Sequence, residues 1–314
     1  MNINDKVAVC SRSFSRNEEL RSILLNKYKN ITFNDQGLSL TGDSLVSFLS
    51  GHTKAIIALE VINEKIISQL SELKVISKYG VGLDMIDMKA LNKYKIRLGW
   101  EGGVNKRSVS ELTLSLMINC LRKISTANRE IIEGGWRQHK GNQLTNKKVG
   151  IIGCGNVGKD LVKLLQPFKC KIFVNDIEDY GSFYKKYNIT TLSLDNLIKK
   201  SDIITLHIPL DSTTNNILDS IRLSYMKTDA VLINTARGGL VDEATLKSML
   251  LESKIAAAAF DVFSKEPPED MELLKLKNFI STPHIGGSSV EAIMAMGMSA
   301  IEGLDKNFVP EIYS

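Results

Sequence analysis

Arg237, Glu266 and His284 are the residues of this chain best suited to chemistry on a small acid. A guanidinium grips a carboxylate through two parallel hydrogen bonds and polarises an adjacent carbonyl. An imidazole carries a proton near neutral pH, and a neighbouring carboxylate favours and orients its charged form. All three lie downstream of Gly153-Cys154-Gly155-Asn156-Val157-Gly158, a G-x-G-x-x-G turn. Where such a turn joins a strand to a helix, Gly153 permits the tight bend, Gly155 lets the backbone approach a pyrophosphate, and Gly158 lets helix and strand pack closely.

The flanking residues supply that context. Lys148–Ile152 reads as a short buried strand, and Asn156–Leu165 has helical spacing with apolar residues at 157, 161, 162, 164 and 165. The turn therefore opens a helix, and the exposed N–H groups and positive dipole end of that helix meet the phosphates. A second strand, Cys170–Asn175, ends at Asp176, 23 positions after Gly153. An acidic residue roughly 20 positions on accepts hydrogen bonds from the ribose hydroxyls. Glu178 and Asp179 follow, so a 2′-phosphate would meet carboxylates, and NAD is expected rather than NADP. Arg237 follows the apolar strand Ala230–Ile233, and His284 follows the last strand in a Thr-Pro-His step. A bare glycine motif is a weak signal. With the downstream triad it points to hydride transfer between a nicotinamide and a 2-hydroxy acid.

Length and composition set bounds. A chain of 314 residues predicts about two domains. Its 43% hydrophobic and 24% charged residues are those of a soluble globular protein. The net charge is +5, and lysine pairs at 147–148, 185–186 and 199–200 are scattered, which describes solvated faces and excludes a nucleic-acid footprint. Cys10, Cys120, Cys154 and Cys170 have no metal or redox spacing and read as reduced thiols of a cytoplasmic protein. No metal is expected. Met1–Lys6 has no apolar leader, and no apolar run reaches the ~18 residues of a membrane span, so no membrane association is expected. His52 and His139 are expected to be exposed.

The positioning elements follow from alternation. Candidate strands at 6–10, 31–33, 55–59, 75–77 and 96–99 are separated by helical stretches near 16–28, 43–50, 62–72 and 87–94. A long amphipathic helix, 107–123, leads to a second set of strands near 148–153, 170–175, 202–207, 230–235, 256–262 and 279–282. A last helix spans roughly 289–305. This pattern predicts an α/β protein with two Rossmann/flavodoxin-like parallel-sheet domains and a cleft between them.

Several stretches resemble one family. They are Ser77–Asp84, Gly153–Gly158, Leu206–Leu210, Ile233–Gly239, Phe260–Pro267 and Thr282–Gly286. In these the chain is similar to the D-isomer-specific 2-hydroxyacid dehydrogenases. Ser11–Phe14 and Asn105–Leu112 resemble the phosphoglycerate dehydrogenase-like branch. The resemblance implies a substrate domain of residues 1–102 plus 288–314 around an NAD-binding domain of 103–287. It implies that Arg237 binds the substrate carboxylate, His284 handles the proton and Glu266 pairs with it. His207, Pro209, Thr235, Ala236 and Asp261 would join the glycine turn around the cofactor. Tyr79-Gly80-Val81-Gly82 would cradle the carboxylate with backbone N–H groups, with Asn105 nearby. Arg12, Lys106 and Arg107 are candidates for a second anionic group. A homodimer through the cofactor domain is implied, with Ile131, Ile132 and Trp136 at its interface unless Trp136 covers the chain's own core.

Departures leave the substrate open. Glu60-Val61 stand where phosphoglycerate dehydrogenases carry arginine, and Trp100-Glu101-Gly102 replace the usual small residues and proline. A D-3-phosphoglycerate dehydrogenase-like enzyme and a glyoxylate or hydroxypyruvate reductase both fit. Formate or phosphite dehydrogenase is a further reading, against which Glu266 counts because formate enzymes pair their histidine with glutamine. A non-catalytic NAD-sensing binding protein is the alternative outside catalysis.

Overall fold

Short runs of two to five residues, most of them apolar, become the parallel strands of a computed structural model that describes residues 5–310. Residues 1–4, on which part of the expectation about the N-terminus falls, and 311–314 lie outside the described residues. The backbone divides into two units: one runs to Asn105 and resumes at Val290, and the other is Lys106–Ser289.

The first unit comprises β1 (Lys6–Val9), α1 (Arg12–Arg16), α2 (Glu18–Lys27), β2 (Asn30–Phe33), α3 (Gly42–Leu49), β3 (Lys54–Ile57), α4 (Glu64–Ile67), β4 (Val75–Lys78), α5 (Met88–Lys93) and β5 (Arg97–Gly99). Its sheet has the order β2-β1-β3-β4-β5, with every pairing parallel. Local capping sets the helix boundaries. The single helix expected over 16–28 is broken at Asn17, whose N–H closes α1 on Phe14 O and whose side chain accepts Leu20 N at 3.0 Å. The helix expected over 62–72 shrinks to α4, because Ile62 bridges Ile86 and Asn63 accepts Ile66 N at 3.1 Å.

Both faces of this sheet are covered. Leu45, Ile57, Ile67 and Leu91 pack one face; Phe14, Leu20, Leu24 and Ile301 pack the other. Ile301 belongs to the final helix, Val290–Gly303, which lies against β4 and β5. There Ser77 Oγ donates to Ala300 O at 2.6 Å, and a Cβ on Gly99 would stand 2.2 Å from Gly303 O, so both glycines allow backbone contact. A charge cluster ties the chain's two ends together at the start of β3. Lys54 Nζ lies 2.9 Å from Asp305 and 3.0 Å from Asp5, and Tyr28 OH donates to Asp305 at 2.6 Å.

The second unit comprises α6 (Lys106–Arg122), α7 (Ile124–Ile132), β6 (Lys148–Ile152), α8 (Asn156–Leu165), β7 (Lys171–Asn175), α9 (Gly181–Lys186), β8 (Thr190–Thr191), α10 (Leu194–Lys200), β9 (Ile203–Leu206), α11 (Ser220–Ser224), β10 (Val231–Asn234), α12 (Glu243–Leu251), β11 (Ala257–Phe260), α13 (Met271–Lys275) and β12 (Phe279–Ser281). The sheet order is β12-β11-β10-β9-β6-β7-β8, again all parallel. Strands β9, β10 and β11 are buried throughout, as a sheet covered by helices on both faces requires. The chain leaves β6 for β7 and β8, then returns to place β9 on the other side of β6. That reversal opens a crevice beyond the carboxyl ends of β6 and β9, where doubly wound sheets take their ligands.

Two histidines differ from expectation. His139 is partnered, with Nε2 2.7 Å from Glu130 and its side chain only 9% exposed. His52 is half-buried, with Nε2 2.9 Å from Thr32 Oγ1. Trp136 does not cover the chain's own core, since it is 84% exposed. Among the described residues no helix is long and apolar enough to cross a membrane, and no group of acidic, Cys or His side chains is placed to hold a metal ion.

Candidate active site

The glycine turn sits at the switch point. Gly153 has φ +93°, a conformation open to glycine, and its N–H donates to Asn175 O. A Cβ there would stand 2.5 Å from His207 O, so β6 and β9 meet backbone to backbone. A Cβ on Gly158 would stand 2.2 Å from Gly153 O, which is the close helix-to-turn approach. Gly155 differs from both: nothing lies within 4 Å of a Cβ built on it. It caps α8 without any side-chain acceptor, so the N–H groups that begin at Asn156 and Val157 face open space. An open cradle at an uncapped ten-residue helix fits a pyrophosphate.

Asp176 completes this half. Its Oδ2 accepts Cys154 N at 2.5 Å and its Oδ1 accepts Glu178 N at 2.9 Å, so the backbone pins the carboxylate at the end of β7 with lone pairs to spare. Burial, with the Asp176 charge alongside, pushes the Cys154 thiol up to about 11, so it stays neutral inside the turn. The packing around His207 pushes its imidazole down to about 3; it is neutral, with Nε2 3.0 Å from Thr205 Oγ1. Pro209 is exposed just beyond. The Thr235 hydroxyl is buried 2.8 Å from Thr113 Oγ1. Since Thr113 donates to Val109 O, Thr235 is the donor of that pair.

The three side chains expected to carry the chemistry follow three adjacent strands of this unit. Arg237 follows β10, Glu266 follows β11 and His284 follows β12. Glu266 Oε2 lies 2.8 Å from His284 Nδ1, while Glu266 Oε1 accepts Phe263 N at 3.1 Å. A carboxylate acceptor makes Nδ1 the protonated nitrogen. Among the described residues Nε2 makes no hydrogen bond, and the imidazole is 52% exposed. The Arg237 turn rests on the Glu266 loop, for a Cβ on Gly238 would stand 1.9 Å from the Phe263 carbonyl carbon.

Sequence reading missed the polar residues that hold these three. Asn234 brackets the Arg237 turn, donating to Arg237 O at 2.8 Å and accepting Ala236 N at 3.1 Å. Glu243 accepts Ser264 N at 2.9 Å in the loop that carries Glu266. Asp261, expected at the cofactor, has both carboxylate oxygens engaged by Thr282, Ile285 and Gly286. Ser108 Oγ donates to Gly286 O at 2.6 Å. The available signal was a polar residue closing an otherwise apolar strand, at Asn234 and at Asp261.

The remaining sequence-derived residues divide by unit. In the first, Tyr79 is buried and Gly80 has φ +128°. The N–H groups of Gly80, Val81 and Gly82 make no hydrogen bond among the described residues. Trp100 Nε1 donates to Val81 O at 3.0 Å and steadies that loop. Arg12 is exposed and Asn105 is buried. In the second unit, Lys106 is exposed, and Arg107 gives one nitrogen to the buried Asp160 at 3.1 Å.

Known proteins are similar to this chain in sequence and fold. A hydroxypyruvate reductase of Thermotoga maritima is 36% identical over 250 residues, covering 78% of this chain and 81% of that protein. A D-3-phosphoglycerate dehydrogenase of Methanocaldococcus jannaschii is 37% identical over 253 residues, and this chain spans about half of its length, 47%. A solved D-isomer specific 2-hydroxyacid dehydrogenase from Polaromonas sp. JS6 66 superposes with a TM-score of 0.88 at 27% identity, over 96% of this chain and 95% of that one. Residues 114–286, more than half of the chain, match the family model described as D-isomer specific 2-hydroxyacid dehydrogenase, NAD binding domain. The chain therefore belongs to the D-isomer specific 2-hydroxyacid dehydrogenases, NAD-dependent oxidoreductases that act on 2-hydroxy acids.

Proposed function

We propose that Arg237, Glu266 and His284 carry the interconversion of a short D-2-hydroxy acid with its 2-oxo acid. The observation that carries the assignment is the Glu266–His284 hydrogen bond at 2.8 Å, which uses Nδ1 and leaves Nε2 turned outward. The glycine turn and Asp176 would hold the pyrophosphate and ribose of the dinucleotide, which when bound would supply or accept the hydride at C2. His284 Nε2 gives a proton to the carbonyl oxygen during reduction and takes the hydroxyl proton during oxidation. Glu266 keeps the ring in the tautomer that can do so and stabilises its charged form. The Arg237 guanidinium, whose NH1 donates to Ala236 O at 2.7 Å within the turn that Asn234 brackets, binds the substrate carboxylate. In the first unit, the free N–H groups of Gly80, Val81 and Gly82 form an anion nest suited to a carboxylate.

Two substrate readings remain within this class. A phosphorylated three-carbon acid, as in a D-3-phosphoglycerate dehydrogenase, would call on Arg12, Lys106 and Arg107. Two observations favour an unphosphorylated acid such as hydroxypyruvate or glyoxylate. One nitrogen of Arg107 is taken by Asp160, and the loop after β3 carries Glu60 between exposed Leu59 and Val61. The test is NADH oxidation with glyoxylate, hydroxypyruvate, pyruvate and 3-phosphohydroxypyruvate, for the native chain and for Arg237→Ala, Glu266→Gln and His284→Ala. Each variant folds and loses turnover by ~10²-fold or more. Full activity of His284→Ala overturns the assignment, and NADH binding without turnover of any acid points to a sensor.

The chain also acts, in this reading, as a cytoplasmic homodimer. Ile131, Ile132 and Trp136 are 57%, 78% and 84% exposed, and no residue of α7 is buried in the single chain. Apolar surface of this kind belongs in an interface. A monomer by light scattering at micromolar concentration rejects the dimer. The four free thiols accord with a reducing compartment, which cell fractionation tests.

A further inference from the structure

Asp261 follows β11 and is 1% exposed. A carboxylate so buried is stable only where donors surround it. The hydrogen bonds that its side chain accepts come from one short segment. Thr282 Oγ1 at 2.5 Å and Ile285 N at 2.8 Å share Oδ1, and Gly286 N at 2.8 Å takes Oδ2. The main chain adds a fourth bond, from His284 N to Asp261 O at 2.9 Å. These contacts bracket His284 on both sides. A Cβ on Gly286 would stand 3.0 Å from Asp261 Oδ2, so the carboxylate also occupies the space a side chain would need there.

The bracketed residue is in an uncommon conformation. His284 has φ +54°, in the left-handed region, where a residue with a Cβ pays of order 1–2 kcal/mol. Such a conformation persists when its surroundings over-determine it, and here the buried carboxylate is what its neighbours share. The side chain carried by that turn is the imidazole whose Nδ1 meets Glu266.

We infer that Asp261 is a positioning residue, whose buried carboxylate shapes the left-handed turn at His284 and so holds the imidazole against Glu266. The inference rests on the proposed role of His284. Asp261 acts through the histidine: its removal frees three donors at once, the turn relaxes towards negative φ, and the ring leaves Glu266. Asparagine has the same shape but sets an NH2 group against at least one of the same donors, so the isosteric change is enough to loosen the turn. A residue whose main role was to bind cofactor would instead lose NADH affinity first.

The experiment is a double-mutant cycle of Asp261→Asn with His284→Ala. It reads kcat and KM with the acid that the native chain turns over best, and the NADH Kd by fluorescence titration. Asp261→Asn lowers kcat by ~10²-fold while the NADH Kd stays within about three-fold, because a misplacement of about 1 Å has that effect. Added to His284→Ala, it lowers the residual rate by less than about two-fold, as residues acting as a unit do. The same factor of loss in both backgrounds overturns the inference, and so does a loss explained by weaker NADH binding. Should Asp261→Asn fail to fold by circular dichroism, Thr282→Val removes one of the three donors and is put through the same cycle with the same two outcomes. A fully active His284→Ala overturns the reading of the histidine itself, whereas an inactive His284→Ala with independent Asp261 losses overturns only the positioning role.

Discussion

Gly238→Ala tests whether the Arg237 turn and the Glu266 loop must touch for the enzyme to work. The added Cβ would lie 1.9 Å from Phe263 C, 2.0 Å from Phe263 O and 2.3 Å from Ser264 N, whereas ordinary contact begins at 3.4 Å. The obstructing atoms are backbone, so no rotamer change relieves the clash, and the two segments must separate by roughly 1.5 Å. Overpacking of this kind costs ~1–3 kcal/mol. For a unit of this size that lowers Tm by about 2–12 °C. The kinetic effect is larger, because Arg237 precedes the altered residue while the displaced loop carries Glu266 and, through it, the His284 ring. A shift of that order lowers kcat by ~10²-fold. The Gly153 turn and α8 are built from other segments, so the NADH Kd stays within about two-fold. The assay combines NADH oxidation at saturating acid, fluorescence titration of NADH and calorimetry. A variant with lowered Tm but native kcat refutes the reasoning, because the segments would then have separated without consequence.

Other perturbations probe separate links. Asp176→Ser removes the carboxylate proposed for the ribose and lowers the preference for NADH over NADPH at least ~10-fold, the worth of one charged hydrogen bond; an unchanged cofactor ratio in steady-state kinetics counts against the ribose role. At Asp305, burial opposes ionisation, but Tyr28, Lys27 and Lys54 outweigh it and hold the carboxyl well below the usual range. Lys54 is also disfavoured by burial, and Asp305, Asp5 and Tyr28 reverse this and raise it. Asp305 therefore adds stability that is present above pH ~4 and lost below it, and Lys54 adds stability that is present below pH ~10. Lys54→Met thus costs ~1–3 kcal/mol at pH 7 and less near pH 3, measured by urea unfolding; an equal cost at both values refutes the coupling. His207, held near 3 when folded and ~6.5 when unfolded, makes stability fall as pH drops below ~6.5, by up to ~1.4 kcal/mol per unit. His207→Gln flattens that slope, and a slope that survives the substitution contradicts a buried neutral imidazole.

How much of this was legible depended on distance along the chain. The turn Gly153–Gly158, the strands around it and the helix it opens are local, and their period and glycine spacing are visible in about fifteen residues. The same holds for the apolar strands that deliver Arg237 and His284. Boundaries set by single side chains were harder. Asn17 interrupts a helical pattern that continues on both sides of it, and the bridge from Ile62 to Ile86 consumes residues that read as helix. Strand β8, two exposed threonines paired with β7, has no apolar signature at all. His139 read as exposed because its partner Glu130 lies nine positions away, on α7.

Residue types and spacing alone point to the chemistry on offer: a glycine turn suited to a phosphate, an acid suited to a ribose, and an arginine, a glutamate and a histidine at strand ends. Those follow from residue type and short-range periodicity, which local sterics and hydrogen bonding decide. Packing of the whole chain is what sets β9 beside β6, which makes the switch point, and makes β10, β11 and β12 neighbours, which brings the loops of Arg237, Glu266 and His284 to one edge. The same packing sets Glu266 2.8 Å from His284 and seats Asp261 beneath the turn at His284. These relations join residues many positions apart, and they exist because helices cover both faces of the sheet and lock its strand order and register.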